Sequence, residues 1–498
     1  MKAYQEKGLK TYQLYINGEW CPSSSSKTFE RKNPATGDLV AEFQKASKED
    51  AQSAILAARE AFDQGDWSSM SGAERSDLLY RAYLRIVEKT NELAELLSRE
   101  MGKPLSEAKG EIGAVANIFS YYAGLSRAIY GQTTTQIQKD LLGLTLRVPV
   151  GVVAIITPWN FPLGTLTQKL PAALAAGCTV VCKPASTTPA TTLEIVKILD
   201  EVGFPKGVVN VITGSGEELG REIATNPMVD KVTLTGSTET GKDLMKLSAD
   251  TLKKLGMELG GKSPNIVFAD ANMEDALDGA LFGSFFNQGE VCTSGSRLLV
   301  QDDIYDEFVD RLVARAEAIR VGDPLSDDTE MGALISESHL KTVLGYVEKG
   351  LADGAKLLTG GKRLTDGIFE KGLFMEPTIF GDVKPNMTIA QEEIFGPVLS
   401  VIRFKDFDEA MEIANDTCFG LAGAVWTKDI DKAIRATQKI KAGTIWVNHY
   451  MEAHPELPFG GVKESGYGKE LGTAGLDAFS EVKTVQIHVG SRNNFYKW

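Results

Sequence analysis

Five short apolar runs between residues 151 and 270 decide the fold: GVVAII (151–156), TVVCKP (179–184), VVNVIT (208–213), KVTLTG (231–236) and NIVFAD (265–270). Each run is rich in Val or Ile and is bounded by Gly, Pro or Asp. Continuous apolar runs of this length indicate strands that are buried on both faces, as in a parallel sheet. Helical segments separate the runs, so the sequence predicts a doubly wound, Rossmann-like α/β unit. Such sheets bind ligands at the carboxyl ends of their strands.

The segment before these runs has a different pattern. Ala, Leu and Glu at amphipathic spacing predict helices over 46–65 and 72–127. Residues 130–148 then alternate in the manner of a strand or hairpin. VKTVQIHV (482–489) near the end of the chain is another candidate strand, which could pair with that hairpin within or between subunits.

A second α/β pattern begins at residue 273. The chain of 498 residues is too long for one compact core, which agrees with two or three domains. The second pattern comprises a helix near 273–287, a strand in SRLLVQ (296–301), a helix near 304–319, and strands in IFGPVLSVIRF (394–404) and GTIWVN (443–448).

Composition excludes several classes of function. The formal net charge of -14 argues against a nucleic-acid partner and against an anionic membrane surface. The five cysteines are few and widely spaced, which predicts reduced thiols in a cytosol. Cys178 and Cys182 have no second Cys or His pair nearby, so no metal site is predicted. The N-terminus shows neither the apolar core nor the cleavage site of a signal peptide.

One uncharged stretch, 148–168, is long enough to span a membrane. Three prolines interrupt it, and Trp159 and Asn160 lie at its centre. We therefore interpret it as a buried strand, a loop and the start of a helix.

Cys292, in FFNQGEVCTSGSR (285–297), is the candidate nucleophile. Glycines flank it on a predicted loop after a helix, so a substrate can approach its side chain closely. A thiolate attacks carbonyl groups well. On residue type alone, however, a small buried hydrophobe is the commoner role of a free cysteine.

Two other polar residues are candidates for catalysis. Glu258, in MELGGKSPNIVF (257–268), could act as a general base for the cysteine and later for a water. Asn160 lies between two prolines in TPWNFP (157–162), where its amide could donate to a developing oxyanion, an effect worth ~3 kcal/mol. In isolation, each is as well explained by a turn.

Two glycine-bearing segments follow predicted strands. TGSGEELG (213–220) and TGSTETGK (235–242) place Gly and Ser at the start of a helix, where free amides favour phosphate. The first is one residue longer than the usual dinucleotide fingerprint. KPAS (183–186) adds a cation near the same sheet edge.

Taken together and in this order, seven motifs resemble the aldehyde dehydrogenase superfamily, NAD(P)-dependent and non-acylating. The resemblance extends from about YINGEW to KTVQIHV, nearly the whole chain. The motifs are TPWNFP, KPAS with its following TP, TGSTETGK, MELGGKSPNIVF, FFNQGEVCTSGSR, EEIFGPV (392–398) and PFGGVKESGYGKELG (458–472).

The resemblance implies an architecture and a cellular setting. It implies a Rossmann-like cofactor domain (1–127 and 151–257), an α/β catalytic domain (258–473) and a small β oligomerisation arm (128–150 and 474–498). A homodimer or homotetramer in the cytoplasm, acting on a small-molecule aldehyde with NAD, NADP or both, is expected.

It also implies the roles of individual residues. Cys292 matches the nucleophile, Glu258 the base, Asn160 the oxyanion donor beside the Cys292 backbone amide, and Glu470 a second carboxylate that relays protons. The expected substrate pocket comprises Phe161, Gln168, Val291, Thr293 and Phe459. The expected cofactor residues are Thr157, Pro158, Trp159, Lys183, Ser186, Gly216, Gly220, Gly236, Ser237, Leu259, Glu393 and Phe395.

Two alternative functions remain: a coenzyme A-dependent acylating semialdehyde dehydrogenase, and a structural relative without activity. Acylating relatives generally lack the glutamate that Glu258 matches, and the retained Cys292, Glu258 and Asn160 argue against a silent relative.

Substrate and cofactor preference are less determined. Gln168 stands where succinic semialdehyde relatives carry Arg and many betaine- or fatty-aldehyde relatives carry Trp, so we expect an uncharged or weakly cationic aldehyde. HYMEAHPELPF (449–459) matches the funnel wall. Ser186 stands where relatives with a strong NAD preference carry Glu, so we expect NADP to be accepted as well.

Overall fold

The computed structural model describes residues 10–491 and 495–496. Its first part, before residue 150, forms small strands, four long helices and a hairpin. In chain order these elements are β1 (Thr11–Tyr12), β2 (Leu14–Ile16), β3 (Glu19–Cys21), β4 (Thr28–Lys32), β5 (Leu39–Gln44), α1 (Lys48–Asp63), α2 (Gly72–Glu88), α3 (Thr90–Met101), α4 (Leu105–Leu125), β6 (Gln132–Gln138) and β7 (Leu141–Pro149).

The next part alternates strands and helices, as the apolar runs predict. It comprises β8 (Val152–Ile156), α5 (Pro162–Thr167), α6 (Leu170–Ala176), β9 (Thr179–Lys183), α7 (Ala190–Val202), β10 (Val209–Val211), α8 (Gly216–Thr225), β11 (Lys231–Thr235), α9 (Thr238–Ser248) and β12 (Lys254–Glu258).

The remainder is the second α/β pattern and a final strand. It comprises β13 (Pro264–Val267), α10 (Met273–Phe285), β14 (Arg297–Gln301), α11 (Tyr305–Glu317), α12 (Glu337–Ala352), β15 (Lys356–Thr359), β16 (Thr378–Gly381), α13 (Thr388–Gln391), β17 (Val398–Phe404), α14 (Phe407–Asn415), β18 (Ala422–Trp426), α15 (Ile430–Lys439), β19 (Thr444–Val447), β20 (Gly466–Tyr467), α16 (Gly472–Asp477) and β21 (Ser480–His488).

The first large sheet has the order β20-β12-β11-β8-β9-β10-β2-β3, and its five central strands run parallel. Apolar side chains of α1, α8 and α9 pack on one face, and those of α2 to α7 pack on the other. The predicted doubly wound α/β architecture is therefore confirmed.

The second large sheet has the order β15-β16-β17-β14-β13-β18-β19 and is parallel except for the β15–β16 pair. Its centre contains β13, the NIVFAD run, which pairs with β14 and β18. The grouping of this run with the first sheet was wrong. A local apolar pattern indicates a buried strand but does not specify its partners.

The hairpin β6–β7 and strand β21 form a small separate sheet in the order β21-β7-β6. The pairing of VKTVQIHV with the hairpin is confirmed, and it occurs within one chain.

Two helix predictions differ in outcome. The helix over 46–65 corresponds to α1, whereas the helix over 72–127 is three helices. Gly102 ends α3 in a left-handed conformation with φ +98°, and Pro104 directly precedes α4. Amphipathic spacing continues across these breaks, because all three helices face the same core.

The uncharged stretch 148–168 forms the end of β7, then β8, a loop and α5, as interpreted from its prolines. Among the described residues, no helix combines the length and the apolar character needed to cross a membrane.

Candidate active site

The segments singled out in the sequence lie along one edge of the first sheet. Thr157, Pro158 and Trp159 follow β8, while Glu258 ends β12 and Leu259 follows it. KPAS, TGSG and TGST begin at or follow the carboxyl ends of β9, β10 and β11. The strand order reverses between β8 and β11. In doubly wound sheets, ligands bind at this point.

Two helices begin at the same edge. Helix α8 begins at Gly216 after its cap Ser215, and α9 follows Gly236 and its cap Ser237. A Cβ atom added at Gly216 or Gly220 would meet no heavy atom within 4 Å. The space beside α8 is therefore open at these two glycines, and the free amides at a helix N-terminus can donate to a phosphate.

Three polar groups surround this edge. Lys183 is buried, its Nζ donates to the Pro184 carbonyl at 3.2 Å, and burial lowers its pKa to about 8. Thr157 Oγ1 is buried without a hydrogen-bond partner. The Ser186 hydroxyl donates to the Gly214 carbonyl at 2.7 Å, which fixes KPAS to the glycine segment. In this arrangement the hydroxyl's single proton is already engaged.

The loop before Cys292 is tightly wound. Asn287, Gln288 and Gly289 have φ values of 53°, 57° and 70°, which is left-handed backbone. A Cβ atom at Gly289 would lie 2.3 Å from the Gly396 carbonyl oxygen. Glycine is needed there because another loop passes directly against it.

Cys292 is partly exposed. A Cβ atom at Gly261 would lie 2.3 Å from the Cys292 carbonyl oxygen, so the ELGG segment packs directly on the cysteine. Enclosure by protein, with the nearby Glu393 and Glu258 carboxylates, raises the pKa of the Cys292 thiol to about 12. In the free enzyme the thiol is therefore protonated at neutral pH, and attack requires a proton acceptor.

Asn160 is buried and fixed to the cysteine loop. Its Nδ2 donates to the Glu290 carbonyl at 2.9 Å. Asn287 Nδ2 donates to the same carbonyl at 3.0 Å and to the Asn160 carbonyl at 3.3 Å. The other Asn160 amide hydrogen remains for a ligand, and the carbonyl that fixes this side chain belongs to Glu290, two residues before Cys292.

Two buried carboxyl groups and a buried lysine lie behind the cysteine. Glu258 Oε2 and Glu470 Oε2 have no hydrogen-bond partner. Burial raises the pKa of Glu258 well above its usual value, and the Glu470 carboxylate adds to that shift. Lys169 Nζ lies 2.5 Å from Glu470 Oε1 and also donates to Thr235 Oγ1 at 2.5 Å. This group can accept a proton and pass it on.

The EEIFGPV segment contacts the ELGG segment that packs on Cys292. The Gly261 amide donates to Glu393 Oε1 at 2.9 Å, and burial raises the pKa of Glu393 to about 7. Phe395 is left-handed with φ 60°. His339 Nε2 donates to the Phe395 carbonyl at 2.7 Å, and the Trp159 ring packs edge-on against both of these rings at 5.1 and 5.2 Å.

A cavity of about 1500 Å³ reaches the nucleophile. All five side chains expected for the substrate pocket line it, together with Cys292 and Glu258. Much of 449–459 lines it too, as expected for the funnel wall. The five are Phe161, Gln168, Val291, Thr293 and Phe459.

The sequence profile of the aldehyde dehydrogenase family matches residues 20–485. The chain belongs to this family. It is therefore an oxidoreductase of the aldehyde dehydrogenase type, as the seven motifs indicate.

Relatives of this aldehyde dehydrogenase match it over nearly its whole length. Betaine aldehyde dehydrogenase from Bacillus subtilis (strain 168) is 46% identical over 472 residues, which are 95% of this chain and 96% of that protein. Human mitochondrial aldehyde dehydrogenase is 45% identical over 97% of this chain and 93% of that one. The crystal structure of an NAD-dependent aldehyde dehydrogenase from Sinorhizobium meliloti, 45% identical, matches with a TM-score of 0.96 over 98% of this chain and 97% of that chain.

Two residues of this aldehyde dehydrogenase site were missed in the sequence. Lys169 directly follows the uncharged stretch, and only the structure shows that it is buried beside the Glu470 carboxylate. His339 gave no local signal, since its contact with Phe395 spans 56 residues. Among the described residues no cluster of three or more His, Cys, Asp or Glu could hold a metal ion.

Proposed function

We propose that this protein oxidises an aldehyde to its carboxylic acid, with NAD or NADP as hydride acceptor, through a thioester on Cys292. The proposal rests on one observation, which is that residues from distant parts of the chain come together at one site. Cys292 and Glu258, from different parts of the chain, line one cavity, and the Asn160 amide is hydrogen-bonded to the cysteine loop at Glu290.

The sheet edge suits a dinucleotide. The buried, unpartnered Thr157 Oγ1 and the amides at the N-termini of α8 and α9 would donate to a ribose and a pyrophosphate. Lys183 and Ser186 would hold the adenosine end of a bound dinucleotide, and Glu393 and Phe395 would hold its nicotinamide end. A bound NAD supplies the acceptor for the hydride. The structure of the Sinorhizobium meliloti relative is named as NAD-dependent.

The first half of the reaction forms the thioester. Glu258 accepts the Cys292 proton, and the thiolate attacks the aldehyde carbon to give a thiohemiacetal oxyanion. Asn160 Nδ2 and the Cys292 amide donate to this oxygen, a stabilisation of about 3 kcal/mol per donor. The carbon then loses hydride, and the oxyanion collapses to the carbonyl of the thioester.

The second half of the reaction hydrolyses the thioester. Glu258 first passes the proton that it took from Cys292 to Glu470; it then takes a proton from water, and the resulting hydroxide attacks the thioester carbonyl. The carboxylic acid leaves, and the Cys292 sulfur takes up a proton. Glu470, paired with Lys169, receives the surplus proton from Glu258, since the two carboxyl groups interact and each has a free oxygen.

Glu258 also argues against transfer of the acyl group to coenzyme A. A base in this position activates water, so hydrolysis is favoured over the acylating alternative. The presence of Cys292, Glu258 and Asn160 in one site argues against a silent structural relative.

We propose the same assignment of domains as the resemblance implies. Residues 1–127 and 151–257 bind the cofactor, 258–473 hold the nucleophile, and 128–150 with 474–498 form the oligomerisation arm. Positions 1–9, 492–494 and 497–498 lie outside the described residues.

The arm supports a homodimer or homotetramer. Its three strands carry exposed apolar side chains, a surface that a second copy of the chain would cover. They include Ile137, Leu146, Val482 and Ile487. The five unpaired cysteines fit the reducing cytoplasm that we propose as its location.

Two variants test the mechanism. Cys292→Ala should abolish dehydrogenase activity while NAD still binds, whereas Cys178→Ala and Cys418→Ala should remain active. Glu258→Gln should slow deacylation more than hydride transfer, giving a burst of reduced cofactor in pre-steady-state kinetics. Turnover above ~1% in Cys292→Ala, or full steady-state activity in Glu258→Gln, would contradict the assigned roles.

A further inference from the structure

Helix α5 begins shortly after Asn160 and has no cap of its own. Its first residue, Pro162, has no amide hydrogen, and the residue before it makes no capping hydrogen bond with its side chain. Glu111 of α4 supplies the cap from outside, since its Oε1 accepts from the amides of Leu163 at 3.2 Å and Gly164 at 2.9 Å. Buried amides in a first helical turn need such a partner. Glu111 therefore fixes the direction in which the chain leaves Asn160.

Glu107, one turn earlier on α4, holds the loop that carries the nucleophile. Its Oε2 accepts from the Asn287 amide at 3.0 Å. Asn287 is the first of the left-handed residues before Cys292, and its Nδ2 donates to the Asn160 carbonyl. Backbone of this kind persists only where the surrounding structure holds it. Glu107 therefore fixes the second of the two loops that meet at Asn160.

Lys103 compensates the charge of these carboxyl groups. Its fully buried Nζ lies 2.6 Å from Glu111 Oε2 and 4.0 Å from the centroid of the Phe161 ring. Enclosure by protein, with the Glu111 carboxylate, raises the pKa of Glu107 to about 8, although Lys103 opposes the shift. At neutral pH Glu107 is therefore mostly uncharged, and a neutral amide can replace it closely. Lys103 and Glu111 form a buried ion pair, which has to be replaced as a pair.

We infer that Glu107 and Glu111 are positioning residues for the oxyanion donor Asn160, acting through the two loops that they hydrogen-bond. An oxyanion donor acts only when it is placed accurately, and a misplacement of about 1 Å can cost roughly 100-fold in rate. Neither carboxyl group reacts with the aldehyde in this role. The inference rests on the proposed aldehyde oxidation and extends it to two residues that are distant from Asn160 in sequence.

The test separates the hydrogen-bond acceptor from the rest of each side chain. Glu107→Gln keeps an oxygen for the Asn287 amide, and Glu107→Met removes it at similar volume. Lys103→Met/Glu111→Gln keeps an oxygen for the start of α5, and Lys103→Met/Glu111→Met removes it. Both double variants lack the ion pair, so neither leaves a buried charge alone. The measured quantities are the rate constant of reduced-cofactor formation in the first turnover of propanal, and the Kd of NAD.

Glu100 provides the structural control. This buried carboxyl group accepts from the amides of Ala190 at 2.9 Å and Thr191 at 3.0 Å, at the start of α7. It makes the same kind of contact as Glu111, but on a helix that carries none of the proposed catalytic residues. Glu100→Met should lower the melting temperature relative to Glu100→Gln, while the first-turnover rates of the two stay within about threefold.

Each Met variant should lose about 10- to 100-fold in first-turnover rate relative to its Gln partner, while the Kd of NAD stays within about twofold. In the Asn160→Ala background the same comparison should give less than about threefold, because the carboxyl groups act through that side chain. If a double variant does not fold, the Glu107 pair and its Asn160→Ala comparison decide the inference.

A difference of less than about threefold between the Met and Gln variants of a pair overturns the positioning role of that carboxyl group. An undiminished difference in the Asn160→Ala background, or an equal loss in Glu100→Met, overturns the inference as a whole, since the effect is then a general loss of structure. A wild type that oxidises no aldehyde of a broad panel, or an Asn160→Ala variant as active as the wild type, overturns the proposed function instead.

Discussion

His339 offers a direct test of how Phe395, one of the residues that we propose bind the cofactor, is held in place. Its Nε2 donates to the carbonyl of Phe395, a residue kept in left-handed backbone, and its ring packs edge-on against Trp159. We predict that His339→Ala weakens NAD binding, because Phe395 is then free to leave the conformation in which we propose that it binds the nicotinamide ribose.

The size of the expected loss in NAD affinity follows from two opposing energies. Left-handed backbone at a residue other than glycine costs on the order of 1–3 kcal/mol. The hydrogen bond that offsets it contributes about 1–2 kcal/mol, counting the carbonyl left without a partner. Losing that bond lowers the fraction of enzyme with Phe395 in place, and the apparent Kd rises by the reciprocal of this fraction. The expected rise in the Kd of NAD is therefore about 5- to 30-fold.

Titration of tryptophan fluorescence with NAD measures this Kd, and steady-state kinetics give KM for both substrates. KM for NAD should rise while KM for the aldehyde stays within about twofold. His339→Gln is the matched control, since a glutamine amide donates to the same carbonyl and should restore most of the binding. A Kd within twofold of wild type in His339→Ala, or an equal loss in His339→Gln, would refute the reasoning.

Three further predictions concern proton transfer, cofactor choice and substrate choice. Glu470→Gln removes a carboxylate that raises the pKa of Glu258, so the acidic limb of the kcat–pH profile should move to lower pH; an unchanged or raised limb contradicts this. Wild type should use NADP with less than about a thousandfold loss in kcat/KM relative to NAD. Ser186→Glu should lower the ratio of kcat/KM for NADP to that for NAD at least about tenfold relative to Ser186→Ala. Ser186→Ala is the control because it loses only the hydrogen bond to Gly214. Gln168→Arg should raise kcat/KM for succinic semialdehyde, and a wild-type preference for that substrate over neutral aldehydes of similar length would show the interpretation to be mistaken.

Much of the first sheet could be predicted because its strands are continuous apolar runs. Each run ends in a chemically distinct segment such as TPWN or KPAS. Parallel strands bring their carboxyl ends to one edge, so the order of motifs along the chain already indicated a shared site. The positions of Thr157, Lys183 and Gly236 at that edge follow from this alone.

Strand β12 escaped prediction for a local reason. Its sequence KLGME contains a lysine and a glycine, and it is not a continuous apolar run. It forms a strand because β11 pairs with it along its whole length. Tertiary pairing here outweighs the intrinsic preference of the residues.

The missed site residues have a similar explanation. Lys169 is next to Gln168, which the sequence did single out, but its role arises from Glu470 and Thr235, which come from distant segments. Charge pairing inside a protein depends on three-dimensional proximity, and no spacing along the chain encodes it.

The two-residue strand β20 has a consequence for dissecting this protein. It pairs antiparallel with β12, joining Met257 to Tyr467 and Glu258 to Gly466. Gly466 has φ +107°, and a Cβ there would lie 2.0 Å from the Met257 carbonyl oxygen. A fragment that stops at Glu258 would retain every parallel strand of the first sheet yet expose β12 as a bare edge, with unpaired amides ready to recruit another chain. We expect such a truncated fragment to aggregate, and co-expression with the C-terminal remainder to restore solubility.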